Sequence, residues 1–359
     1  MMLSFVWSDR EMRMLAGSRY AWLRALADPA GPAEVLPAKR LTLRGLGALC
    51  DLADRHGVLP SVLANLRQAI ARHGAGCVVE TKEKDPPGEG AATLARAEER
   101  LVKRTALSML LRRQAGEVAA ALQAESLQAI VLKGADFADR LYPRPALRPF
   151  SDVDLLIPER AVPDVERVMA RLGYEPSLAG MKYASGYGER GWRRPGQAGG
   201  TVEIHWDLVN SPSLRKAVSV RYEDLQLVEP VAACGLCRAS PAAMLLIAAV
   251  HGATSHGFDR LQILYDVAQI VRGAAGPVDA DWLAGAAKRT GAALAVSVAL
   301  SLGEKVLGEP RCAELGGRLR LPVSTWLCRA MLTRGTVLRA RAPIDGLRRQ
   351  AFREILKWS

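Results

Sequence analysis

Residues 127–157, LQAIVLKGADFADRLYPRPALRPFSDVDLLI, contain the pattern that decides the fold. The segment LQAIVLKG is a short apolar run that ends in glycine, which is typical of a buried strand. ADFADRLYP predicts a short helix that Pro143 closes, because proline cannot continue a helix. SDVDLLIP alternates and then runs apolar, which predicts a second strand. The stretch therefore predicts a strand, a helix and a second strand in close succession.

A second helix and a third strand extend this pattern. RAVPDVERVMARLGY predicts a helix with Gly173 at its C-terminal end. The next stretch, GMKYASGYGERGWRRPGQAGG at 180–200, predicts a loop, and TVEIHWDLV predicts a strand. Basic and aromatic residues mix in that loop, which suits contact with phosphates or bases, although a hairpin without a ligand fits equally well. Residues 125–210 are thus expected to form a compact α/β block.

Helices are expected on both sides of this block. TLRGLGALCDLADRHGVLPSVLANLRQAI has apolar residues three and four apart, with breaks near Gly57 and Pro60. TKEKDPPGEGAA at 81–92 predicts a linker, residues 93–124 predict a long helix, and the chain is helical again from Pro241. We predict an α+β fold with a small mixed β-sheet core, flanking helices, and helical N- and C-terminal regions. The expected regions are a helical N-terminal region with its linker (1–92), the α/β core (93–230) and a helical C-terminal domain (231–359).

The composition of the 359 residues bounds the class of protein. Hydrophobic residues make up 49%, which provides a sizeable core and argues against disorder. The net charge of +12 attracts polyanions, but arginine is spread along the chain, so the charge need not reflect a partner. Charges interrupt the apolar N-terminus, and the longest apolar run, at 241–250, is too short to span a bilayer. We expect a soluble, cytoplasmic protein with no membrane partner.

The six cysteines give little sign of a metal or redox site. Only Cys234 and Cys237 have the spacing of metal ligands or a redox pair. A structural zinc site usually needs four ligands, and neither a second such pair nor a nearby histidine accompanies these two. We expect reduced, partly buried thiols.

The acidic residues of the second and third strands are the strongest candidates for chemistry. Asp152 and Asp154 are two apart on a predicted strand, so both carboxylates point the same way. Two such charges repel each other unless a cation lies between them, and magnesium prefers oxygen ligands. If the strand of Glu203 and His205 lies beside them, Glu203 completes a three-carboxylate site suited to two-metal phosphoryl transfer. A D-x-D at an exposed strand end without metal is the alternative.

These residues resemble the family of uncharacterised nucleotidyltransferases within the polymerase-β-like superfamily. That family's pattern is L-K-G, then L-Y, an arginine, D-x-D-L-L and E-x-H-W, and it matches residues 132–134, 141–142, 148, 152–156 and 203–206. DRHGVLP at 54–60 and HGATSHGFDRLQILYDVAQI at 251–270 also look like its flanking regions. The resemblance therefore covers most of the chain, although the flanking motifs are less specific than the core.

The resemblance implies a nucleotide site. The donor is a nucleoside triphosphate, expected to be ATP, and the metal is Mg²⁺, with Mn²⁺ as the alternative. The residues implied are, as catalytic and metal-binding groups, Asp152, Asp154 and Glu203, and, as nucleotide-binding groups, Lys133, Gly134, Arg148 and His205. For the second set we also consider ordinary structural roles, namely a surface lysine, a solvated arginine and a half-buried histidine. His251 and His256 either line the cleft with Asp266 or serve as capping and core residues.

One departure from the wider superfamily concerns the phosphate-binding turn. The superfamily has a Gly-Ser turn before the D-x-D, whereas this chain has Gly134-Ala135, without a hydroxyl and farther from Asp152. Backbone N–H groups of a glycine turn can still cradle phosphate, and Lys133 would supply the charge. Nucleotide affinity and donor choice depend on this difference.

The leading expectation is transfer of a nucleoside monophosphate to a hydroxyl-type acceptor, which is a small molecule, a peptide or a protein. One alternative is an RNA- or tRNA-directed nucleotidyltransferase, motivated by the charge of +12 and the basic loop. Another is a non-catalytic nucleotide-binding protein on the same core. The sequence leaves the oligomeric state open. Because three carboxylates crowd one cleft, we expect Asp152→Asn or Asp154→Asn to abolish activity and to leave the fold intact or slightly more stable.

Overall fold

A computed structural model describes residues 18–83, 85–177, 186–196, 199–228, 236–321, 326–339 and 343–358. Its α-helices are α1 Ser18–Leu26, α2 Leu43–Arg55, α3 Leu59–His73, α4 Ala75–Val78, α5 Glu89–Ala124, α6 Ala135–Leu141, α7 Val162–Arg171, α8 Pro212–Arg215, α9 Pro241–His251, α10 Leu261–Val271, α11 Ala280–Arg289, α12 Ala293–Leu302, α13 Pro310–Leu319, α14 Trp326–Met331, α15 Arg334–Leu338 and α16 Gly346–Leu356. Its strands are β1 Leu41–Thr42, β2 Val79–Glu80, β3 Ile130–Val131, β4 Asp152–Leu156, β5 Glu175–Pro176, β6 Glu189–Arg193, β7 Thr201–His205, β8 Leu227–Val228 and β9 Arg238–Ala239. The predicted α+β class is confirmed.

The central sheet has five strands in the order β3-β4-β7-β6-β5. It is mixed, because β4 and β7 are parallel while β3 and β6 pair antiparallel to their neighbours. The register between β4 and β7 places Asp154 opposite Glu203. The two acidic strands are therefore adjacent, as the three-carboxylate hypothesis requires.

Alternation along β4 and β7 determines which face of the sheet is polar. Val153 and Leu155 pair with Val202 and Ile204 and are buried in a core that also contains residues of α5 and α7. Since side chains alternate, Asp152, Asp154 and Glu203 project from the opposite face. Helices of both terminal regions share a second, larger core on that side, with members such as Leu49, Leu156, Leu246 and Leu264. The site face therefore lies under helices from both ends of the chain, while the three-region division stays a prediction.

Two of the sequence-based boundaries are wrong. The stretch 180–200 is not wholly a loop, because Glu189–Arg193 forms β6 between β7 and β5. Glu189 and Gly191 belong to residue types that are depleted in strands, so pairing on both edges outweighs the composition of this segment. The long helix begins at Glu89 rather than at residue 93, directly after Gly88 in a left-handed conformation with φ of 78°. Lys182, Tyr183 and Cys234 lie outside the described residues, so the expectations for them have no structural counterpart.

Among the described residues, no helix is both long enough and apolar enough to cross a membrane. The 36-residue helix α5 has the length, but its sequence carries many charged side chains.

Candidate active site

The centre of the site is a group of three side chains on β4 and β7, of which Asp154 and His205 are buried and Glu203 is half-buried. Asp154, Glu203 and His205 each offer one ligand atom, and these atoms lie within 4.8 Å of one another. Glu203 and His205 share a face because they are two apart on β7, and Asp154 is the register partner of Glu203. Asp152, two residues before Asp154 on the same face, lines the two clefts that open from this centre. All four candidates from the two strand motifs are thus brought together.

Asp154 is the most deeply buried of these carboxylates. Its Oδ1 accepts from Lys133 Nζ at 3.0 Å and contacts His205 Nε2 at 3.3 Å. Burial by itself raises the pKa of Asp154, but Lys133 and the hydrogen bond from His205 outweigh it and lower the pKa below its ordinary range. Asp154 Oδ2 is also buried and has no hydrogen-bond partner in the described part of the chain. One oxygen of this carboxylate is thus satisfied by the protein and the other remains for a ligand.

Asp152 and Glu203 have the opposite electrostatic character. The charge of Asp154, followed by burial, raises the pKa of Asp152. Burial, followed by the charge of Asp154, raises the pKa of Glu203 to about 8. A divalent cation among these oxygens would reverse both effects, because a positive ion favours the charged form of a carboxylate. Together with the unpartnered Asp154 Oδ2, this donor set fits a hard metal ion.

Lys133 lies at the centre of the site, and the alternative of a surface lysine is wrong. Burial lowers the pKa of its ammonium group, but Asp154, Asp152 and Glu203 outweigh this and raise the pKa above its ordinary value. Lys133 therefore stays charged. It is followed by Gly134, whose φ of 54° and ψ of −112° carry the chain from β3 into α6. Such a conformation is accessible to glycine and strained for other residues.

Arg148 anchors the turn at Gly134 to the C-terminal helices. Its guanidinium donates to both carboxylate oxygens of Asp266 in α10, from Nε at 2.8 Å and from Nη2 at 2.7 Å. Nη1 donates to the Gly134 carbonyl at 3.3 Å, and Tyr142 donates its hydroxyl to Asp266 at 2.8 Å. Arg148 is only 6% exposed, which excludes the alternative that it is a solvated surface residue. Its guanidinium group already binds the carboxylate of Asp266, so a role of Arg148 in nucleotide binding remains a prediction.

Two clefts open from the carboxylate centre. The first, of about 380 Å³, lies between the N-terminal helices, the Gly134 turn and α9–α10. The second, of about 710 Å³, lies between β6–β7, the segment after β7 and the C-terminal helix α16. Lys133 and Asp152 line both. The reacting groups therefore stand where two spaces of different composition meet.

His251 and His256 also line both clefts. A π-helical turn, Gly252–His256, follows α9, and the two rings lie edge to face with centroids 4.7 Å apart. Burial lowers the pKa of His251 well below its ordinary value, so this ring is neutral. His256 Nδ1 is 3.5 Å from Asp259 Oδ1. The cleft-lining hypothesis for these histidines agrees with the geometry.

Sequence reasoning missed several residues of the site. Glu189, at the start of β6, places Oε2 3.2 Å from His205 Nδ1 and is the register partner of that histidine. The sequence predicts a loop at this position, and only the recognition of β6 as a strand would have indicated Glu189. Arg353 and Lys357, on and just after α16, line the second cleft without any motif to mark them. Of the Cys pair, Cys237 is a partly buried free thiol.

The mixed sheet, with D-x-D beside E-x-H and a lysine-glycine turn facing them, defines a protein of the nucleotidyltransferase class. A family described as uncharacterised nucleotidyltransferase matches residues 44–308, and the chain belongs to this family. No curated protein and no solved structure matches the chain. Nucleotidyl transfer is thus the activity that the family and the fold support.

Proposed function

We propose that this protein transfers a nucleoside monophosphate from a nucleoside triphosphate, ATP in the first instance, to a hydroxyl group of a small molecule, peptide or protein. The acceptor oxygen forms a bond to the α-phosphorus, the bond from that phosphorus to the leaving pyrophosphate breaks, and the hydroxyl proton is released. The observation that carries the proposal is the group of Asp154, Glu203 and His205, in which the buried Asp154 Oδ2 has no hydrogen-bond partner among the described residues.

The residues present fit a divalent metal, magnesium in the first instance and manganese as the alternative. Asp152, Asp154 and Glu203 would hold it through oxygen, and His205 would orient Asp154 from Nε2. When bound, the metal supplies an activated acceptor oxygen and neutralises charge on the leaving pyrophosphate. Lys133 carries a positive charge at the same point, where a phosphate would displace it from Asp154. We place this activity in the cytoplasm.

Contacts in the basic segment weaken the case for an RNA-directed enzyme. Arg194 binds Glu117 at 2.7 Å, Arg193 donates to Thr201 at 3.0 Å, and Arg190 pairs with Glu166. These three arginines neutralise carboxylates or bind hydroxyls of their own chain. Binding of RNA that weakens steeply with salt would support the hypothesis of an RNA-directed enzyme.

The test measures nucleotide binding and turnover in matched variants. We expect magnesium plus ATP to raise the melting temperature of the wild-type protein, and labelled ATP with a cell extract to give labelled product and pyrophosphate. Glu203→Gln should lose both responses, while Glu175→Gln, an exposed carboxylate on the edge strand of the same sheet, should retain them. Binding without turnover would indicate the non-catalytic alternative. Neither binding nor turnover with any nucleoside triphosphate, from folded protein, would refute the proposal.

A further inference from the structure

The two clefts that meet at Lys133 and Asp152 differ in charge. In the described part of the chain, the first cleft is lined by five cationic side chains against three acidic ones. Two ion pairs cancel within this lining, Asp54 with Arg104 at 2.7 Å and Asp266 with Arg148. The lining then has three cationic side chains against one acidic side chain. The cleft also includes Gly134 and the rings of Phe137 and Phe150. A basic space with apolar walls beside the carboxylates suits a triphosphate and its base.

The second cleft lacks this excess of cationic side chains. Apart from Lys133 and the residues of β4 and β7, its lining has two cationic side chains, Arg353 and Lys357, and two acidic ones, Glu189 and Glu354. Lys357 binds Glu354 at 2.8 Å, and Arg353 donates to the neutral Ser255 carbonyl at 2.7 Å. The remaining lining is rich in hydroxyl and amide groups, including Ser211, Ser213, Thr254, Asn210 and Gln350. Among the described residues its lining has two aliphatic side chains, Leu208 and Leu214, and the aromatic ring of Tyr187. Such a surface offers many hydrogen bonds and little area for an apolar group.

The outer wall of the second cleft lies beyond the part of the chain that the family matches. The match ends at residue 308, and every residue lining the first cleft falls within it. Gln350, Arg353, Glu354 and Lys357 fall outside it. The first cleft is thus built from what the chain shares with its family, and the second is closed by a helix that the family match does not include.

We propose that the second cleft is the acceptor site, that α16 sets acceptor specificity, and that the acceptor is a neutral, hydroxyl-rich small molecule of the carbohydrate class. This rests on the proposed transfer of a nucleoside monophosphate. Both clefts are lined by Lys133 and Asp152, so an acceptor hydroxyl in the second cleft and an α-phosphate in the first would meet at these two residues. A lining without an excess of cationic side chains does not favour a polyanion, and two leucines with one tyrosine ring cover too little area for a lipid or an apolar peptide.

The test offers ATP labelled at the α-phosphate, with magnesium, to a panel of neutral mono- and disaccharides, to total RNA and to a mixture of polypeptides. We expect label on one or more of the sugars. Gln350→Ala and Arg353→Gln should each raise KM for that sugar about tenfold, the effect of losing one hydrogen bond of about 1.4 kcal/mol. The stabilisation of both variants by magnesium plus ATP should match the wild type. Arg348→Gln, on the same helix but outside the cleft lining, is the control and should leave KM unchanged.

The outcomes separate this inference from the proposed function. Pyrophosphate release with label on RNA or polypeptide, and none on sugars, would refute the acceptor class while leaving nucleotidyl transfer intact. A weaker response to magnesium plus ATP in Gln350→Ala and Arg353→Gln, with KM for the sugar unchanged, would assign the second cleft to the donor. Absence of any nucleotide binding or release would refute the proposed function itself.

Discussion

The substitution Asp154→Asn distinguishes the ion pairing seen in the structure from a view in which the three carboxylates only repel one another. Treating three crowded carboxylates alike leads to the expectation that neutralising any of them relieves repulsion. Asp154, however, is the partner of buried Lys133 at 3.0 Å and of His205 at 3.3 Å. Its removal leaves a buried ammonium group without its main counter-ion. Breaking a buried pair costs about 3–5 kcal/mol, and the lower end applies because Asp152 still faces Lys133.

The measurement is thermal and denaturant unfolding of metal-free protein at pH 7. For a chain of this size each kcal/mol lowers the melting temperature by about 2 °C, so Asp154→Asn should melt about 6 °C lower. Asp152→Asn is the matched control and should be as stable as the wild type or more so, because the charge of Asp154 raises the pKa of Asp152. Both variants should lose activity. If Asp154→Asn is as stable as the wild type while Asp152→Asn is destabilised, the pairing of Lys133 with Asp154 is not what holds the site.

Three further predictions concern pH and the Gly134 turn. The pKa of Glu203 is about 8 against an ordinary 4.5, so between these pH values the folded protein holds a proton that the unfolded chain has lost. The stability of the metal-free protein should therefore fall as pH rises from about 4.5 to 8. The denaturation midpoint of Glu203→Gln should not show this dependence on pH. Burial lowers the pKa of His56 from 6.5 to about 4, so the free energy of unfolding should fall by about 3 kcal/mol as pH drops from 6.5 to 4. His56→Gln should remove this fall in stability. An unchanged pH dependence in the variant would exclude His56 as its source. Gly134→Ala should lower the free energy of unfolding by about 1–3 kcal/mol and weaken ATP binding, because the φ of 54° is strained for alanine. Space is not the cause, since a Cβ would lie at an ordinary 3.5 Å from Phe150. Calorimetry that shows wild-type affinity and stability would contradict this prediction.

Local sequence patterns were sufficient to predict which side chains share a face on the acidic strands β4 and β7. Side chains alternate along any strand, so the spacing of Asp152 and Asp154, and of Glu203 and His205, determines that each pair shares a face. The apolar residues between them determine that this face is opposite the core of Val153 and its neighbours. The α+β class and the Lys133-Gly134 turn follow from the same short-range rules.

The partners of these residues required the tertiary structure. The counter-ion of Arg148 is Asp266, 118 positions away, and no periodicity links the two. Glu189 reaches His205 only because β6 pairs with β7, a strand that its own composition does not favour. Period and propensity act over a few residues, whereas ion pairs, strand neighbours and cleft walls depend on which distant segments pack together. The sequence by itself thus determined the carboxylate centre, and only packing decided that Lys133 occupies it, that Arg148 is anchored, and that a C-terminal helix closes the second cleft.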